Sequence, residues 1–247
     1  MSSFIREVAQ TLLKRYGNDL SNLVVIFPST RARVFFNDAL TELIDTPMWQ
    51  PSWSSIDELM EQGSGLKRGE RIRLIAELFK IYKKHHPSEE FDRFYFWGDM
   101  LISDFDMIDK YLIEADADKL LRNIWDIKVI ESDLSYLTPE QESIVRFWRS
   151  VDSDGATLTE QKQRFLEIWR TLPAIYKEYR EHLSNMGIGY PGMIYRTTTE
   201  RIKDANKESD VDFGNKRFVF VGFNALSESE KVLFDYLAKS PQGAEFY

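Results

Sequence analysis

Residues 22–36 read NLVVIFPSTRARVFF. The apolar run Leu23 to Phe27 has the length and composition of a buried strand, and it breaks at Pro28. A polar turn follows, Ser29 and Thr30, and then a helix that opens with Arg31 and Arg33. Strand, turn and helix in that order are the grammar of a parallel α/β sheet, whose working edge lies at the carboxyl ends of its strands. Such an edge ordinarily grips phosphate with a glycine-rich loop, and this stretch contains no glycine.

Outward from there, residues 51–56 (PSWSSI) predict a short second strand. Residues 217–223 (RFVFVGF) predict another, since their unbroken apolar run suits a strand covered on both faces. The closing residues 243–247 (GAEFY) look like the start of one more strand, and the chain is expected to be a piece of a longer protein. Residues 208–216 read as a polar turn.

Between these ends the pattern is helical. Residues 4–13 put Phe4, Ile5, Val8, Leu12 and Leu13 on one face of an amphipathic helix. Residues 69–84 repeat Ile72, Ile75, Leu78 and Tyr82 at helical spacing. Thr138-Pro-Glu-Gln141 is a capping box that predicts a helix through Val151. Residues 160–186 form a long helical seam that Pro173 should kink or interrupt and Gly187 should end. Ser227-Glu-Ser-Glu230 caps a last helix ending near Lys239. The division read from this layout is a sheet domain of residues 1–66 plus 208–247 and a helical domain of residues 67–207.

Composition narrows the chemistry. The chain has 43% apolar residues, enough for a sizeable core, and its 12 Gly and 8 Pro are too few for an all-β protein with many tight turns. With no cysteine, disulfides, thiolate nucleophiles and cysteine-held metals are excluded, which fits a cytoplasmic protein. No apolar run is long enough to span a membrane. The net charge of -8 argues against wholesale nucleic-acid binding but leaves room for a local basic groove.

Several motifs compete. The hydroxyls of Ser29 and Thr30, the free amides of a helix start, and Arg31 and Arg33 suit a nucleic-acid phosphate. The competing reading of that turn is Ser29 or Thr30 as a helix cap with solvated arginines. A nucleotide site needs GxxxxGK[ST], which Gly63-Ser-Gly-Leu-Lys-Arg-Gly69 does not complete, so that run reads as a loop. Asp104-Phe-Asp-Met-Ile-Asp109, with Asp99 a turn earlier, invites a metal, but the surrounding stripe of Trp97, Leu101, Phe105, Ile108 and Leu112 makes it a solvated helix face. Asp126-Ile-Lys128 and Glu160-Gln-Lys162 match the (D/E)xK tripeptide of metal nucleases without a partner aspartate, and the second lies in a helix. His85, His86 and His182 lack metal-ligand spacing, and Lys67, Arg68, Arg71 and Arg73 read as a basic patch or, more often for such a cluster, a solvated helix start.

The blocks VVIFPSTRARVFFNDAL, PSWSSIDEL, FYFWGDMLISDFDMIDKYL and FVFVGFNALSESEKVLFDYL, in that order, resemble the amino-terminal part of AddB-like helicase–nuclease subunits. Within that group they resemble the Bacteroidetes-type PD-(D/E)xK nuclease family proteins. The resemblance implies a RecA-like, P-loop-NTPase-like sheet, domain 1A of superfamily 1 helicases, carrying a large all-helical insertion like domain 1B. It implies work in double-strand-break repair and recombination, beside an AddA-like helicase subunit and DNA. Magnesium at the nuclease motif and, in many relatives, an iron–sulfur cluster belong near the carboxyl end of the full-length protein, outside these residues. Here the chain starts in the helix that would follow the Walker A loop, so the helicase-like domain is expected to be inactive and to guide a DNA strand. Ser29, Thr30, Arg31 and Arg33 match the place of the motif that touches the single-stranded backbone. The expected function is a non-catalytic DNA-guiding and subunit-contacting module. The alternatives are a protein–protein scaffold without DNA contact, or an ATPase or Mg²⁺-dependent nuclease within the chain.

Overall fold

The computed structural model describes residues 4–113, 160–204 and 211–247, and the side chains of Thr30 and of residues 160–170 lie outside that set. The chain divides into two compact units: Met1–Glu70 with Asp109–Leu112 and Met186–Tyr247, and Arg71–Ile108 with Ile113–Asn185. The stretch read as one helical domain is thus shared between them, residues from Met186 onward belonging with the sheet.

The first unit is α/β. Its elements are α1 (Phe4–Tyr16), β1 (Leu23–Phe27), α2 (Thr30–Leu43), β2 (Ser52–Ser55), α3 (Ile56–Ser64) and β3 (Lys67–Arg68). The second unit supplies α4 (Arg71–His85), most of α5 (Phe91–Lys110) and α6 (Glu160–Asn185). The first unit resumes with β4 (Ile188–Gly189), α7 (Pro191–Asp204), β5 (Arg217–Phe220), α8 (Glu228–Lys239) and β6 (Ala244–Phe246).

A four-stranded sheet runs in the order β2-β1-β5-β6, and every neighbouring pair is parallel. The register sets Val25 beside Trp53 and Val219. Side chains alternate across a strand, so Leu23, Val25 and Phe27 of β1 face one layer with Val219 and Val221. There they meet Val8, Ala9 and Leu12 of α1 and Phe36, Ala39 and Leu40 of α2. Phe218 and Phe220 face the other layer, where the Phe220 ring lies 4.2 Å from Phe234 of α8 and 5.3 Å from Phe246. Each such buried side chain contributes about 1.5–3 kcal/mol by leaving water. The strands expected at residues 51–56, 217–223 and 243–247 are present in trimmed form, and the capping box at Ser227 and Glu230 closes the start of α8.

The Gly63–Gly69 run is not a loop. Gly63 and Ser64 end α3, Gly65 takes the left-handed conformation that terminates it (φ 72°), and Lys67 and Arg68 form β3 beside β4. Ser55 and Glu58 form a capping box at the start of α3 that the S-x-x-E spacing carries in plain view.

Glu245 of β6 ties α1 to the sheet edge. It accepts from Tyr16, from Tyr247 at 2.8 Å and from Arg15 at 2.6 Å, with Arg217 at 3.5 Å. Burial pushes this carboxyl up, but the bonds from Tyr16, Tyr247 and Arg15 outweigh it and hold it below its ordinary value of 4.5. A depressed carboxylate contributes stability that is present above its unfolded-state pKa and is lost as pH falls through the folded one. Melting temperature is therefore expected to fall as pH drops below about 4.5, and Glu245→Gln should flatten that slope. An unchanged slope in Glu245→Gln would remove Glu245 as its source.

In the second unit, α4 and α5 meet through aromatic rings, Tyr82 to Phe94 at 4.7 Å and Phe79 to Phe91 at 5.3 Å. Against α6, the Tyr179 hydroxyl donates to the Leu74 carbonyl at 2.9 Å, and burial raises its pKa. Pro173 does not interrupt α6, which runs unbroken from Glu160 to Asn185. The lost backbone bond is offset by Leu172, Ile175, Tyr176 and Tyr179, all buried on one side of the helix. Gly187 follows with φ 68°, as expected for a helix stop. The predicted cap at Thr138 and the Asp126-Ile-Lys128 tripeptide lie outside the described residues.

Candidate functional site

Strand order fixes where an α/β sheet binds. From β1 the chain moves to β2 through α2, on one face; from β5 it moves to β6 through α8, on the other. The carboxyl ends of the neighbouring strands β1 and β5 therefore send their connections to opposite faces, which makes this the switch point at which open α/β sheets bind ligands. The turn Pro28-Ser29 lies on one side of it. On the other is Gly222, at φ 81°, whose N–H donates to the Tyr247 carbonyl at 3.0 Å. The backbone bond from Val221 to the Ile26 carbonyl, 3.0 Å, is the last rung before that divergence.

The predicted residues gather on this edge. Ser29 is the N-cap of α2 by backbone, extended at φ -147° and ψ 150°, yet its side chain makes no capping bond. That corrects the capping reading for Ser29, whose hydroxyl takes none of the first amides of α2. Thr30 opens α2; its side chain lies outside the described residues. Arg31 is exposed. Arg33 is exposed and its guanidinium lies 5.6 Å from the centre of the Trp53 ring. Trp53 in turn stacks on Phe27 at 6.0 Å and meets Phe36 edge-on at 5.5 Å, so an aromatic stack rooted in the core orients the arginine.

Charge at this edge is uneven. In the sheet unit Arg6 pairs with Glu42, Arg15 and Arg217 with Glu245, Arg68 with Asp57, Arg196 with Asp109, and Arg201 donates to the Gly63 carbonyl. Arg31 and Arg33 are the arginines of that unit with no carboxylate or carbonyl partner among the described residues. The first turn of α2 carries no acidic residue, so helix dipole and guanidinium charges add. Glu58, whose carboxyl feels the Arg33 charge, is also committed to its cap: the Ser55 amide, first, and the Ser54 hydroxyl hold it below the usual range.

Sequence reading missed Trp53 and Gly222. Trp53 becomes a partner of Arg33 only once β2 pairs with β1, and its signal was a lone aromatic in a serine-rich strand. Gly222 carried a signal, a glycine ending an apolar strand.

The other candidates resolve differently. Asp104 and Asp109 do not lie on a solvated face: both are buried, Asp109 at 0% exposure. Asp109 pairs with Arg196 at 2.6 Å and accepts from the Tyr190 hydroxyl at 2.5 Å, which makes it a structural clamp. Arg71 is exposed, as expected of a solvated helix start, and pairs with Asp99 at 2.5 Å. His85 and His86 stand at the end of α4, where His86 meets Thr171 at 3.1 Å; His182 meets Glu77 at 2.8 Å. Glu160 and Lys162 lie in α6. Among the described residues no cluster of three or more metal-ligating side chains occurs, and no helix is long and apolar enough to cross a membrane.

No protein-family model matches the chain, and no curated protein matches it.

Proposed function

We propose that this chain is a non-catalytic, helicase-like module of a DNA-repair helicase–nuclease of the AddB-like kind, which guides a DNA strand and contacts a partner helicase subunit. In this reading the parallel sheet is RecA-like without a Walker A loop, and the helical unit is the inserted domain. The observation that carries it is the pair Arg31 and Arg33, exposed at the start of α2 with no ion pair among the described residues, while the other described arginines of the unit each have a carboxylate or carbonyl partner. Two features add support: the N-cap Ser29 makes no side-chain bond to the start of α2, and the strand order has its switch point between β1 and β5. Arg31 and Arg33 would pair with phosphates, and the Ser29 turn would position the backbone.

The test is fluorescence anisotropy of labelled single-stranded DNA from low to physiological salt. Binding should weaken as salt rises, because phosphate contacts release counterions. Arg31→Glu/Arg33→Glu should weaken it by roughly tenfold or more at low salt and flatten the salt slope by about one unit per lost contact. Absence of wild-type binding at low salt would sink this reading and leave a protein–protein scaffold, which the net charge of -8 favours.

A further inference from the structure

We propose that Phe35 is a base-stacking side chain, and that the carboxyl edge takes single-stranded in preference to paired nucleic acid. This rests on the DNA-guiding reading above and deepens it. Phe35 is 56% exposed, and so is its neighbour Val34, although the next residue, Phe36, is wholly buried between Phe27 and Trp53. The buried ring anchors this turn of α2 on the sheet and holds the next one in water. Phe35 stands four residues after Arg31, so ring and guanidinium are neighbours on one side of the helix, a turn apart.

A single exposed apolar side chain asks for no occupant, so the charge beside it chooses one. Arg31 and Arg33 carry no carboxylate partner among the described residues, and α2 has no acid before Asp38. Further along, Glu42 is neutralised by Arg6. A polyanion fits the arginines, and a flat apolar surface fits the ring. Single strands offer both at once, because their base faces are open, whereas a duplex hides its base faces in the stack.

The test compares the full chain with Phe35→Ala, Phe35→Trp and Arg31→Glu, by anisotropy of a labelled oligothymidine and of a labelled duplex. Phe35→Ala should weaken oligothymidine binding about tenfold, leave its salt slope unchanged and leave duplex binding unchanged; Phe35→Trp should keep wild-type affinity. Arg31→Glu should instead lower the salt slope. Oligothymidine binding that is indifferent to Phe35→Ala, or an equal loss on duplex and single strand, overturns the stacking role while the DNA-guiding reading stands. No wild-type binding to either oligonucleotide overturns both and assigns the Val34–Phe35 surface to a protein partner. Phe35 is exposed, so the alanine variant should fold, and an unchanged circular dichroism spectrum and melting temperature would verify it.

Discussion

Replacing Asp109 with alanine is expected to cost the sheet unit about 3 to 5 kcal/mol, among the largest losses open to a single substitution in this chain. Asp109 closes α5, is wholly buried, and satisfies both Arg196 and Tyr190. Around it, the Ser229 hydroxyl donates to the Lys110 carbonyl at 2.9 Å, so the last turn of α5 is fastened to the start of α8. Taking away the carboxylate deprives the Arg196 guanidinium, itself 13% exposed, of an ion pair at 2.6 Å in a mostly buried site. The cost of stranding a buried charge exceeds the net worth of the pair. That asymmetry supplies the control. Asp109→Leu combined with Arg196→Met and Tyr190→Phe removes the guanidinium and the hydroxyl that the first change strands, and it should recover much of the loss. Urea unfolding followed through the aromatic signal of the sheet unit reads both. A loss below about 1 kcal/mol for Asp109→Ala would mean that water reaches the pair, and the clamp would then be ordinary surface electrostatics.

Gly63→Val is the second large effect, with an expected loss of about 3 kcal/mol. A Cβ at Gly63 would stand 2.5 Å from Thr198 Cγ2 and 3.0 Å from Phe213 Cζ. Thr198 has nowhere to turn, because its hydroxyl donates to the Met60 carbonyl at 2.6 Å across the α3–α7 contact and lies 3.1 Å from the Ile194 carbonyl. Gly63 therefore lets two helix backbones approach, and any side chain there must push α3 and α7 apart or break that bond. Gly63→Ala gains roughly 1 kcal/mol of helix propensity and should lose less overall than valine. Thr198→Ser deletes the obstructing methyl and keeps the hydroxyl, so it should soften the Gly63→Ala defect while changing little alone. Thermal melts of the four proteins in that cycle decide it: additive losses would place the strain elsewhere.

Both expectations concern residues whose roles the sequence misassigned, and the reasons are physical. Asp109 follows Ile108 in an amphipathic stripe and reads as the polar side of a surface helix. Its burial depends on Arg196 and Tyr190, which stand more than eighty positions away and leave no local trace. Gly63 lies in a glycine-spaced run of loop composition. Only the facing helix, α7, explains a glycine inside the end of α3. The strands were different. Leu23–Phe27 and, in β5, Phe218 to Phe220 are continuous apolar runs because both faces of the sheet are covered, and that demand is written into each strand by itself. The capping box at Ser227 is equally local, since side chain and amide lie three residues apart.

The candidate site divides along the same line. Ser29, Thr30, Arg31 and Arg33 were legible as a strand–turn–helix with two cations and no glycine. Their lack of an ion-paired carboxylate was not, because it depends on where Glu42, Glu245, Asp57 and Asp109 go instead: to Arg6, to Arg15 and Arg217, to Arg68 and to Arg196.

By itself, then, the sequence determined the α/β class, the principal strands and the turn that opens α2, because apolar runs, periodicity and caps act over a few residues. The tertiary structure decided the strand order that puts β1 beside β5, the placing of Arg33 on Trp53 and the exposure of Phe35 next to the buried Phe36. Those are set by pairing and packing between segments far apart in the chain, and a local pattern carries no record of which distant surface will cover it.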